Sequence, residues 1–182
     1  MNLTASPAFA AKWLLPRLED FHNRHPDLDV LLNTSAQSLN LPAERIGIRY
    51  GKGGWPGLTA EKWLDETLFP VCSPHFLNTH SVSSPADLLN LPLIHDISMP
   101  SESGFLGWND WFATARSVMA EDDLRAGRLV RLFPETGCLS ALTYYLVYRP
   151  NSAASKKIRA FREWMLEQAA PFQTAQMPPH AV

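Results

Sequence analysis

The sequence predicts an α/β fold built on mainly parallel sheets. Three observations carry that prediction. Strand-like and helix-like patterns alternate as β-α-β-α-β across residues 2–74, and alternation with crossover helices is the mark of parallel pairing. Helix openings are announced by Ser6-Pro7 and Ser84-Pro85, where Ser can cap and Pro suits the first turn. A chain of 182 residues, 46% hydrophobic and 19% charged, can bury a core as one ordinary domain or two small lobes.

Residues 2–5, Asn-Leu-Thr-Ala, read as a short strand. In the helix that follows, Phe9, Trp13, Leu14, Leu18 and Phe21 recur at helical spacing and give one apolar face. Pro16 lies inside that pattern and predicts a kink or an early break. His22 and His25 near the helix end read as solvated or dipole-facing, since no third metal ligand is near. Pro26-Asp27 turns the chain into a strand over 28–34. Residues 38–46 read as a short helix, and Gly47-Ile48-Arg49-Tyr50 as a short strand. Residues 58–68 are mixed in pattern, and 66–74 end as a buried strand.

The second half opens with Ser84-Pro85-Ala86-Asp87, a helix start with cap, proline and first-turn acid. Residues 91–96 read as a strand ending in polar residues. Trp108, Trp111, Phe112 and Ala115 fall on one helix face, a packing stripe that could also cage a ligand. Strands are expected in Arg128–Phe133, after Gly127, and in Thr143–Tyr148, rich in aromatic and β-branched residues. Ser155 caps a last helix carrying Ile158, Phe161, Trp164 and Met165, and the tail after Pro171 reads as disordered.

Glycines crowd around Lys52 in RYGKGGWPGL (49–58), which raises the question of a phosphate cradle. The order is wrong for one. Lys52 is followed by Gly53-Gly54 and then Trp55-Pro56, not by Ser or Thr entering a helix. Nor do the glycines match a dinucleotide-binding turn.

The bulk chemistry narrows function by exclusion. A net charge of −2 and a pI near 6.3 give no basic field for nucleic acid. Cys72 and Cys138 lack metal-type spacing and read as reduced, mostly buried thiols. The N-terminus is a poor signal peptide and no apolar run approaches a membrane span, so a cytoplasmic location is expected. No nucleophile elbow or zinc-protease motif occurs, so the expectation is no enzyme, no cofactor and no metal. Cys72 with His95 could be imagined as nucleophile and base, but a thiol in an apolar strand is usually inert. Glu121-Asp122-Asp123 lacks calcium-loop spacing and reads as a solvated turn or helix start.

Several stretches taken together resemble one family. SPAFAAKWLLPRLEDFHNRHPDLDV (6–30), IRYGKGGWPGL (48–58), LFPVCSP (68–74), SPADLLNLPLIHD (84–96), WNDWFATA (108–115), DDLRAGRLVRLF (122–133), YYLVY (144–148) and IRAFREWMLEQA (158–169) occur in this order. The chain resembles the effector-binding domain of LysR-type transcriptional regulators, in the branch of glycine cleavage activator-like regulators. The resemblance spans residues 2–169.

It implies a two-lobed, type II periplasmic-binding-protein-like fold, with an N-terminal winged helix-turn-helix that this chain does not include. The first lobe is expected in residues 1–69 with 148–182, and the second in 70–147. The chain would cross between them near Phe69-Pro70-Val71 and near Tyr144 to Val147. The glycines of 51–57 would serve tight turns, with Trp55 as a packing residue. A small effector (an amino acid, a purine or a small carboxylate) would sit at strand ends and helix N-termini. The resemblance points to Ser6 and Pro7, Thr34 and Ser35, Tyr50 and Gly51, and from the second lobe His95 and Asp96. The same residue types also serve as helix cap and turn. A homo-oligomer is implied, with Trp13, Leu14 and Leu18 contributing at one edge of the first helix. DNA would be reached only through the N-terminal domain. A solute-binding protein of a transport system shares such a fold and is the alternative. Two departures stand out. The family string before Gly47 is shortened, and WNDWFATA runs straight into Arg116 where the family has a further strand, helix and strand, leaving the second lobe incomplete.

Overall fold

The structure is a computed structural model that describes residues 1–35, 45–94 and 115–175. The chain divides into two compact units, Met1–Asp65 with Thr143–Val182, and Glu66–Leu142. Two strands, β4 (Thr59–Phe69) and β8 (Cys138–Tyr148), run without a break across the boundaries between them.

The first unit is built on β1 (Asn2–Ala5), which lies between parallel neighbours β2 (Leu31–Thr34) and β3 (Arg45–Gly51). Leu3 faces Leu32 on one side and Ile46 on the other. Strand β3 pairs antiparallel with β8, from Ile46 against Tyr148 to Gly51 against Thr143, and β4 lies beyond β8. The sheet is therefore mixed: β1 pairs in parallel with β2 and β3, and β3 pairs antiparallel with β8.

Ser6 opens the first helix as read from the sequence. Its extended backbone (ψ 149°) breaks from the strand, its hydroxyl accepts from Phe9 N at 3.4 Å, and Pro7 follows. The helix begins as α1 (Pro7–Phe9), widens into a π-helical turn over Ala10–Leu14, and continues as α2 (Leu15–Arg24). Pro16 has no N–H for an ordinary helical bond, and the wide turn just before it absorbs the mismatch without ending the helix.

One face of that helix, with β4, β8 and α5 (Lys156–Ala175), encloses an aromatic core. Phe9 stacks on Trp13 at 5.3 Å, Trp13 meets Trp63 edge-on at 4.9 Å, and Phe21 contacts Phe161 and Trp164 at 5.4 and 5.3 Å. Two of the core indole N–H groups find acceptors, Trp63 on Met165 O at 2.7 Å and Trp164 on Asp20 Oδ2 at 2.8 Å. Each such ring contributes about 1.5–3 kcal/mol by leaving water.

The second unit holds the end of β4, β5 (Val71–Cys72), α3 (Pro74–Thr79), a 3-10 turn (Pro85–Asn90), β6 (Ala115–Arg116), α4 (Ser117–Arg125), β7 (Val130–Arg131) and the start of β8. Ser84 and Asp87 form the reciprocal capping box that their spacing predicts. Leu68 pairs with Arg116, and Val71 with Arg131, both antiparallel. Glu66 is fully buried, and its Oε1 accepts from the Ser117 hydroxyl and from Val118 N at 3.0 Å. It thus caps α4 from a distant strand, where Arg116 offers no side-chain cap of its own.

Several sequence expectations are corrected. Residues 58–68, read as mixed, are one eleven-residue strand. The strand expected at 91–96 does not form over Leu91–Ile94, where Ile94 is 91% exposed, and His95 and Asp96 lie outside the described residues. Ala115 is a strand residue and not a helix end, because β6 is held by β4. The acidic run Glu121-Asp122-Asp123 lies within α4 and is paired with Arg125 and Arg128. The last helix continues past Pro171 to Ala175, with Phe172 buried. Trp13 and Leu14 belong wholly to the core, while the neighbouring Leu15 is the exposed one. The helix expected over 38–46 lies outside the described residues, except that Arg45 and Ile46 belong to β3.

Candidate functional site

In the first unit the parallel strands end together, and the residues singled out from sequence lie along that edge. Ala5 faces Thr34 in register, and Ser35 N donates to Ala5 O at 2.9 Å. Ser6 and Pro7 follow Ala5 directly and open the helix. Tyr50 and Gly51 finish β3, with Tyr50 opposite Tyr144 and their rings 4.8 Å apart. Six of the eight predicted site residues, Ser6, Pro7, Thr34, Ser35, Tyr50 and Gly51, are thus brought to strand ends or the helix opening. His95 and Asp96 lie outside the described residues.

Two residues at this edge went unremarked in the sequence, Thr4 and Arg49. The Arg49 guanidinium reaches across from β3 to β1. Its Nη1 donates to Thr4 O at 3.1 Å and to Ile48 O at 2.9 Å, and its Nη2 to the Thr4 hydroxyl at 3.0 Å. Burial holds its pKa below that of an ordinary arginine, yet guanidinium keeps its charge. The string Ile-Arg-Tyr-Gly sets a cation between two large apolar residues in a strand, but its Thr4 partner lies on another strand, out of reach of the local pattern.

The glycine-rich loop beside this edge serves geometry. Gly53, Gly54 and Gly57 have φ of 82°, 76° and 72°, the left-handed region that glycine enters without strain. A side chain on Gly51 would meet the Trp55 indole at 3.2 Å, and Trp55 in turn packs edge-on against Tyr145 at 5.5 Å. The two thiols, Cys72 and Cys138, are half-buried and free, and desolvation raises the pKa of each above the usual thiol value. Among the described residues no three His, Cys, Asp or Glu side chains gather as a metal site, and no helix is long and apolar enough to cross a membrane.

Comparison with known proteins gives consistent matches. The family described as LysR substrate binding domain matches residues 1–117 and 103–170, two segments that share residues 103–117. The glycine cleavage system transcriptional activator of Escherichia coli (strain K12) is 33% identical over 202 residues, covering 95% of this chain and 66% of that protein. The AmpR transcriptional activator of Pseudomonas aeruginosa is 29% identical, covering 93% of this chain and 66% of that protein. The chain therefore spans just under two thirds of the length of these relatives. Because 95% of 182 residues is about 173, roughly 29 residues of the matched stretch in the Escherichia coli protein have no counterpart here. Among solved structures, the effector domain of AmpR from Pseudomonas aeruginosa superposes with a TM-score of 0.71 at 26% identity, covering 98% of this chain and 99% of that one. The regulatory domain of CrgA from Neisseria meningitidis shows the same fold, with a TM-score of 0.69 at 17% identity over 92% of this chain and 97% of that one.

Proposed function

The chain belongs to the LysR substrate-binding domain family, and from that premise we propose that it senses a small effector on behalf of a LysR-type transcriptional regulator. The observation that carries the reading is the family match, which runs through most of the chain, together with relatives that are transcriptional activators. The transport alternative draws no such support from these relatives.

The site we propose is the strand-end edge of the first unit, with Ser6, Pro7, Thr34, Ser35, Tyr50 and Gly51. Strand ends and helix openings gather backbone polar groups and hydroxyls, which suits a polar ligand. We read the two compact units as the two lobes of the domain. Effector occupancy shifts the regulator between arrangements by binding one better than the other, and DNA is contacted through a separate domain in the cytoplasm. Family pairing makes the domain a homo-oligomer, which sedimentation over a concentration series checks directly.

The test of the sensing role is a melting screen with small amino acids, purines and small carboxylates. A ligand bound only by the folded chain raises the melting temperature, and does so further as its concentration rises. Replacement of Ser6 by Ala together with Ser35 by Ala should reduce that shift. A shift unaffected by both replacements would move the site elsewhere.

A further inference from the structure

Arg49 carries a positive charge that no described neighbour balances. Its hydrogen-bond acceptors are two backbone carbonyls and one hydroxyl, all neutral, and among the described residues no carboxylate stands against it. The geometry of the fork adds a second point. A guanidinium has five N–H donors in a rigid plane. The carbonyl and hydroxyl of Thr4 take Nη1 and Nη2 at the end of the fork, and Ile48 O takes the other Nη1 hydrogen. The Nε–H and the second Nη2–H remain, and they share one side of the plane. That side is the one that holds the two oxygens of a carboxylate in a bidentate pair. No described residue accepts from it. Arg49 is only half-buried, and it is bonded to Thr4, two residues before the Ser6 cap.

We propose that the effector of this domain carries a carboxylate or a like oxyanion, and that Arg49 is the group that receives it. This deepens the effector-sensing reading and rests on it. A brace between β1 and β3 has no need of charge, because a neutral amide can donate to a carbonyl and a hydroxyl equally well. A cation kept partly out of water, with its strap already made by one end of the fork and the carboxylate-shaped edge left over, suits a ligand that supplies the counter-charge. Thr4 then acts as a positioning residue, fixing the plane of the guanidinium so that the remaining edge is presented in one orientation. The inference separates the classes of effector considered above. Amino acids and small carboxylates satisfy it, and uncharged purines do not.

The experiment compares acids with their amides on the 182-residue chain: glycine with glycinamide, succinate with succinamide, and adenine and hypoxanthine as uncharged purines. Melting shifts and calorimetric titration are read for wild type, Arg49→Gln and Arg49→Lys. The expected result is that at least one acid binds and its amide and the purines do not. Arg49→Gln should weaken the acid by at least about tenfold, as loss of a charged hydrogen-bond pair does. Arg49→Lys should keep part of the affinity, since it retains the charge without the fork. If the Gln variant does not melt cooperatively, the Lys variant carries the test through a several-fold loss for the acid alone. A purine or amide that binds as well as the acid, or an acid held by Arg49→Gln with wild-type affinity, overturns this proposal and leaves effector sensing standing. Absence of any shift across the whole panel counts against effector sensing itself, and the Arg49 proposal falls with it.

Discussion

At the scale of single residues, the loop after β3 separates two costs that are usually confounded. Gly57 sits at φ 72° with no atom within 4 Å of a side chain placed there, whereas Gly53, at φ 82°, would bring that side chain to 3.1 Å from the Tyr145 ring. Gly57→Ala should therefore lose only the backbone strain, about 1 kcal/mol, while Gly53→Ala should lose more. Urea unfolding of both variants checks the order. Asp20 gives a prediction in pH. The Trp164 indole N–H, ahead of Arg24, lowers its carboxyl pKa below the ordinary aspartate value. A carboxyl depressed in the folded state contributes stability that is fully present above its unfolded pKa, near 3.9, and is lost as pH falls through the folded value. Melting temperature should thus drop less steeply below about pH 4 in Asp20→Asn than in wild type. Asp27 beside Lys156, and Asp87 under the backbone N–H groups of Ser83 and Ser84, are lowered in the same direction, so the variant removes only part of the acid limb.

At the scale of elements, α4 depends on a carboxylate that is remote in sequence. Glu66 lies within β4, yet it satisfies the first-turn amide of Val118 and the hydroxyl of Ser117. Glu66→Ala should cost about 1.5–3 kcal/mol, the range for hydrogen bonds to a charged group, and denaturant titration followed by circular dichroism measures it. The same residue explains why β4 was illegible. Its eleven residues include Glu61, Lys62, Asp65 and Glu66, a composition that hides a strand until its neighbours on the sheet are known. Local chemistry was legible where it is self-contained: Ser6-Pro7, the Ser84–Asp87 capping box and the apolar stripe Ile158, Phe161, Trp164, Met165 all form as read. Residues 91–94 failed for the opposite reason, an apolar composition that reads as a strand where none forms. At the candidate site, Ser6 and Ser35 announced themselves as cap and turn residues. Arg49 did not, because its meaning depends on Thr4, forty-five positions away in the chain and adjacent only through the β1–β3 pairing.

At the scale of the whole chain, 16 Lys and Arg stand against 18 Asp and Glu, so the purified domain should show no tight, salt-sensitive binding to a promoter duplex in a mobility-shift titration. The family pattern is matched in two segments that both include residues 103–117. The first unit has a further property that its composition does not reveal. It is assembled from both ends of the polypeptide, Met1–Asp65 and Thr143–Val182, with the whole of the second unit threaded between. During synthesis its aromatic core cannot close when its first sixty-five residues emerge, because Tyr144, Phe161 and Trp164 are still to be made. Until then Phe9, Trp13 and Trp63 have only one another, without the Tyr144 and Trp164 rings that complete their packing, and the nascent chain exposes them to whatever captures apolar segments in the cell. Glu66–Leu142 is one contiguous stretch of chain, so it is free to fold before the two ends of the first unit meet. Chains arrested before Thr143 should accordingly be cleaved by protease throughout residues 1–65, and chains released after Ala175 should resist it there.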